Sequence, residues 1–139
     1  MDKIYLRAML QIITTGHWLT DSVTRELREF DATEPQFNVL RVLNARAETP
    51  CSVQEIQKGM VQKSSNVTRI VDKLLNKGFV QRQLNESNRR KVDITITSDG
   101  QQFLSQLEEK VFAFHAPLQK NLTPEECETL THLIKKLKG

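Results

Sequence analysis

The sequence predicts a mainly α-helical chain interrupted by one small β-hairpin. Two observations predict it. Apolar residues recur at helical spacing in six separate stretches, and one stretch near residue 92 switches to strict alternation. Several of the helical stretches also open on a capping signature, which fixes where each begins.

Residues 3–29 read as a long amphipathic helix, with Ile12, Leu19, Val23 and Leu27 forming one stripe. Residues 34–46 read as a second, with Pro35 in its first turn and Phe37, Leu40 and Leu43 on one side. Residues 47–51 read as a loop. Ser52 and Glu55 make a capping box that opens a short third helix ending near Gly59. A fourth helix is expected over about 64–77, because Val67, Ile70, Val71, Leu74 and Leu75 fall on one face. Gly78 stops it, as glycine does just past a helix end. Phe79 to Leu84 and Val92 to Ile96 form the hairpin, Val92, Ile94 and Ile96 alternating with Asp93, Thr95 and Thr97. Ser98-Asp99-Gly100 starts a fifth helix with Phe103, Leu104, Leu107 and Val111 inward. Thr123, Pro124 and Glu126 open the last, whose stripe is Leu130, Leu133, Ile134 and Leu137. Residues 34–97 are compact by themselves. The first and last helices lie outside that unit and need something to cover their apolar stripes. A second copy of the chain is the simplest partner.

Charge is concentrated in the middle. Lys58 to Lys91 holds nine Lys or Arg against Asp72 and Glu86, a local net charge of +7. The whole chain is only +3, so the remainder sums to −4. Folded, strongly basic segments are the electrostatic footprint of nucleic-acid surfaces. A short helix, a turn and a second amphipathic helix make a helix-turn-helix, whose second helix can enter a major groove. Its leading residues Lys63, Ser64, Ser65, Asn66, Thr68 and Arg69 suit base and phosphate contacts: Arg pairs with guanine and Asn with adenine. Lys73, Lys77 and Arg82 extend the positive surface toward phosphates. Arg89, Arg90 and Lys91 place three cations at the hairpin tip, where a wing can reach a minor groove. The competing reading is a solvated charged face, or a module that docks an acidic protein without sequence-specific DNA binding.

Other chemistry is thinly represented. No membrane-length apolar run, secretory leader, glycine-rich phosphate loop or nucleophile motif is present, so a cytoplasmic, non-enzymatic protein without cofactor is expected. His17, His115 and His132 are widely spaced and Cys51 and Cys127 lack metal-ligand spacing, so no metal site is expected.

Thr33-Glu-Pro-Gln-Phe-Asn-Val-Leu40, Val67-Thr-Arg-Ile-Val-Asp-Lys-Leu74, Lys77-Gly-Phe-Val-Gln-Arg82, Asn88-Arg-Arg90 and Ile96-Thr-Ser-Asp-Gly100 together resemble the MarR family of bacterial transcription regulators. The resemblance spans essentially the whole chain. It implies one domain over 1–139, with a winged helix-turn-helix at 34–97 and dimerisation helices at 3–29 and 100–138. It further implies a homodimeric, ligand-responsive repressor on a pseudo-palindromic operator of double-stranded DNA. The family usually carries an aspartate before the wing arginine pair, where this chain has Asn88. His17 and Trp18 lie where the family's first helix borders a cleft. They read either as contacts for a small aromatic effector or, for Trp18, as packing in the dimer core. Peroxide-sensing relatives place a cysteine in the first helix, and this chain has none there. Cys51 reads as a loop or packing residue, although a helix start can depress a thiol pKa. Cys127 reads as facing the dimer core.

Overall fold

The structure, a computed structural model, describes residues 1–46, 49–61 and 66–139. Six α-helices and one two-stranded antiparallel sheet follow one another along the described residues. Helix α1 (Lys3–Leu27) is capped by the Asp2 carboxylate, which accepts from the Ile4 N–H at 3.0 Å. The α-helical geometry stops two residues before the predicted end and tightens into a 3₁₀ turn, Arg28–Phe30. Asp31 then adopts φ 51°, and the Ala32 N–H reaches back to the Leu27 carbonyl at 3.3 Å. Aspartate tolerates that left-handed geometry better than most side chains.

Helix α2 (Glu34–Ala45) is the centre of the molecule. Thr33 and Gln36 form a reciprocal capping box at 3.3 Å in both directions. Gln36 to Leu40 are all buried, as is Leu43, so the middle of this helix is covered all round while Arg41, Asn44 and Ala45 face solvent. It packs against α1, α5 (Ser98–His115), α4 (Val67–Asn76), α3 (Val53–Gly59) and strand β2 (Val92–Ile96). Leu27, Leu40, Leu43, Ile56, Leu74, Ile94, Leu104 and Leu107 make the core with it.

Ser52 and Glu55 cap α3 as the sequence predicts. Glu55 also receives Arg46 at 2.8 Å, pinning the end of α2 to the start of α3. Helix α4 buries Val67, Val71 and Leu74. It ends at Asn76, one residue before the predicted end, and Ser64 and Ser65 at its predicted start lie outside the described residues. Its exit is the predicted glycine stop. Gly78 sits at φ 78°, Gly78 N–H bonds the Leu75 carbonyl and Phe79 N–H bonds the Leu74 carbonyl, each at 3.0 Å.

Strands β1 (Val80–Leu84) and β2 pair from Val80↔Ile96 to Leu84↔Val92. One expected loop residue joins them. Cys51 exchanges both backbone hydrogen bonds with Ile94 at 2.9 Å, a one-residue third strand on the inner edge. A single paired residue leaves no alternation to read, which is why residues 47–51 looked like loop alone. The cap of α5 is Thr97, one residue before the predicted start. Its Oγ1 accepts from Gly100 N–H at 3.0 Å and donates to the Gly78 carbonyl at 2.7 Å. A Cβ on Gly100 would stand 2.1 Å from the Phe79 carbonyl oxygen. After a 3₁₀ turn (Leu118–Asn121), α6 (Pro124–Leu137) begins on the predicted Thr123–Glu126 box. No described helix is long and apolar enough to cross a membrane.

Gly100→Ala is expected to destabilise the fold by at least about 1–3 kcal/mol, since backbone must move to admit the methyl group. Chemical denaturation with an unchanged m-value and a lowered midpoint checks it. A midpoint equal to wild type would show that the α5–hairpin junction yields at no cost.

Candidate nucleic-acid interface

The exposed side of α4 follows from its buried side. With Val67, Val71 and Leu74 inward, Thr68, Arg69 and Lys73 stand exposed. Asn66 precedes the first helical residue and is exposed as well. Arg69 and Lys73 have no ion-pair or hydrogen-bond partner among the described residues. Of the other predicted base readers, Lys63, Ser64 and Ser65 lie outside the described residues.

The hairpin tip is built by one amide. Asn85 Oδ1 accepts from the Ser87 N–H at 2.9 Å, the Ser87 hydroxyl at 2.6 Å and the Asn88 N–H at 3.0 Å. Its Nδ2 donates to the Asp93 carboxylate at 3.1 and 3.3 Å. Both ends of the side chain are therefore used, one on the loop and one on the opposite strand. Asn88 continues the turn, its Oδ1 accepting from the Arg90 N–H at 3.1 Å and its carbonyl from the Lys91 N–H at 2.9 Å. These are local side-chain-to-backbone turns of the kind Asn and Asp both make. An amide thus supplies the turn at the position where the family usually has a carboxylate. Arg89, Arg90 and Lys91 emerge exposed and unpaired among the described residues. Arg90 and Lys91 share a cleft with Ser52, Val53 and Gln54 at the start of α3, so the wing lies against the helix-turn-helix.

Two further predicted contacts are engaged within the chain. Arg82 pairs with Asp72 at 3.1 Å. Lys77 Nζ donates to the Asp31 carbonyl at 2.8 Å.

The comparisons with known proteins agree with this geometry. The MarR family model matches residues 32–92. The chain is 32% identical over 135 residues to the multiple antibiotic resistance protein MarR of Escherichia coli, spanning 91% of this chain and 92% of that one. Against the protein of the same name from Salmonella typhimurium it is 34% identical over 113 residues, spanning 80% and 76%. The chain belongs to the MarR family. Among solved structures it resembles a mutant Escherichia coli MarR complexed with operator DNA, with TM-score 0.81, 28% identity and 99% coverage of both chains. As a MarR-family protein it is a DNA-binding transcription regulator of the winged helix-turn-helix type, not an enzyme.

In this MarR-family chain the other flagged residues fall as follows. His17 is exposed, and half-exposed Trp18 packs against Phe114 with ring centroids 5.9 Å apart. Cys51 is fully buried, and burial pushes its thiol above the ordinary value, with Arg46 opposing. Desolvation outweighs the opposing Arg46, so Cys51 is a packing residue with a protonated thiol at neutral pH. Cys127 is exposed on α6. No group of three or more His, Cys, Asp or Glu among the described residues can hold a metal. Sequence reading missed Asn85 and Asp93. An Asx residue ending a strand before a polar loop is the one signal that pointed to them.

Asn85→Ala removes all five side-chain hydrogen bonds at once. Amide exchange over Ser87–Lys91 is expected to quicken while the core amides keep their protection. Unchanged exchange in the loop would show that the backbone alone holds the tip.

Proposed function

We propose that this protein is a ligand-responsive repressor that binds a pseudo-palindromic DNA operator as a homodimer in the cytoplasm. Residues 34–97 form its DNA-reading unit, and residues 3–29 and 100–138 its dimerisation helices. The observation that carries the reading is the set of unpaired cations. Arg69 and Lys73 on α4, and Arg89, Arg90 and Lys91 on the wing, are exposed without internal partners among the described residues. In this reading α4 lies in a major groove. Asn66, Thr68 and Arg69 meet base edges together with Lys63, Ser64 and Ser65, and the wing cations meet the adjacent minor groove. Two copies then span half-sites about 34 Å apart. Occupying a promoter in this way excludes other proteins from it, which is repression.

Apolar exposure supports the dimer. Ile4, Tyr5, Leu10 and Ile13 on α1 and Leu130, Leu133, Ile134 and Leu137 on α6 are all at least 38% exposed in the single chain. Apolar faces left exposed along two amphipathic helices mark interaction sites. The effector in this proposal is a small aromatic molecule meeting Trp18 and His17. Trp18 is the only tryptophan, so quenching of its emission by such a molecule tests the contact.

If the dimer neutralises about ten phosphates, log affinity falls with log salt at a slope of about −9. Arg90→Ala, removing one contact per protomer, should weaken binding and flatten that slope by about 2. Arg69→Ala should cost roughly 1–3 kcal/mol, confined to one operator position per half-site. Filter binding across a salt series, with operator variants, checks both. Wild-type slope for Arg90→Ala would remove the wing from the interface.

Leu133→Asp should convert the dimer to monomer and abolish operator binding at concentrations where wild type is saturated. Sedimentation velocity reads the outcome. A dimer that survives the substitution would place the interface elsewhere.

A further inference from the structure

Two cations of the basic block already hold other parts of the chain. Arg82 Nη1 donates to Asp72 Oδ1 at 3.1 Å, joining the first wing strand to the middle of α4. Lys77 Nζ donates to the Asp31 carbonyl at 2.8 Å and lies 3.9 Å from its carboxylate, joining the end of α4 to the turn between α1 and α2. The left-handed backbone of Asp31 fixes the direction of that carbonyl. Arg69, Lys73, Arg89, Arg90 and Lys91, by contrast, are unpaired among the described residues.

We propose that Arg82 and Lys77 are positioning residues that set the angle of α4 against the wing and against α1, and that they do not contact phosphate. The proposal rests on the DNA-binding reading above. Both ties are partly solvent-exposed, so they add little to global stability. Their value is geometric. Base readout needs side chains held within about 0.5 Å and 10–20° of the productive pose. Arg82 gives one guanidinium N–H to a carboxylate and Lys77 a single ammonium to a carbonyl, each spanning two elements that must move together. Asp72 also gains a reason. A carboxylate within a +7 block repels phosphate, and nothing in DNA binding alone accounts for it. Its pairing with Arg82 does.

Asp72→Asn separates the two roles, because simple electrostatics and positioning predict opposite signs. Losing a negative charge near DNA should tighten binding. Losing the tie should weaken it. The probe is a duplex recovered from random-sequence DNA by the full-length wild-type protein. We expect Asp72→Asn and Arg82→Met each to weaken binding about three- to tenfold, with one tie lost per protomer. The double variant should bind no more weakly than Arg82→Met, since both remove one interaction. Lys77→Met should weaken binding with the salt slope of wild type, as should Arg82→Met, whereas Arg90→Ala flattens it. Thermal midpoints near wild type exclude unfolding as the cause. Wild-type or tighter binding by Asp72→Asn, or flattened slopes for Arg82→Met and Lys77→Met, would overturn the positioning role alone. A wild type that recovers no preferred duplex would overturn the DNA-binding reading, and the proposal with it.

Discussion

The approach of Gly100 to the Phe79 carbonyl is the constraint on which the winged helix-turn-helix depends. Three elements meet there: the end of α4, the start of the hairpin and the first turn of α5. The left-handed Gly78 turns the chain out of α4, and the Thr97 hydroxyl bridges its carbonyl to the Gly100 N–H. Thr97 N–H then bonds the Phe79 carbonyl at 3.0 Å. The Phe79 ring stacks on Phe103 at 4.3 Å, so the same junction seals the core. Any side chain at position 100 would push α5 away from the hairpin. The seating of Leu104 and Leu107 beneath α2 would go with it, and so would the direction in which the wing leaves the body. Packed interiors transmit such a shift rather than absorb it.

Much of this was legible in the sequence, and the reasons are local. Capping boxes at Ser52 and Thr123 mark helix starts because the cap chemistry needs those residue types at that spacing. Gly78 marks a helix end for an equally local reason. The alternation of Val92, Ile94 and Ile96 declares a strand because one face is buried. What was illegible depends on tertiary partners. The pairing of Cys51 with Ile94 spans 43 residues and leaves no periodicity. Lys77 and Arg82 look like every other cation in the block until the structure brings Asp31 and Asp72 to them. Asn85 looks like an ordinary loop amide until Asp93 stands across the hairpin from it.

Positive charge in this protein therefore has two destinations. Lys77 and Arg82 are engaged inside the chain, whereas Arg69, Lys73, Arg89, Arg90 and Lys91 face outward. A charge count cannot divide the two, because both sets look the same in the sequence. The division also gives a place to Asp72, within the block, and to Asp93, just beyond it. Asp72 belongs to the scaffold that holds the surface, and Asp93 to the scaffold that holds the wing tip.

The Asn85 amide has a kinetic consequence. By closing the wing loop with its own hydrogen bonds, it makes the loss of conformational freedom part of folding, not part of association. DNA in the DNA-binding reading encounters a wing tip already shaped. Association in that reading then carries no ordering step of the wing loop, and the outward charges steer it.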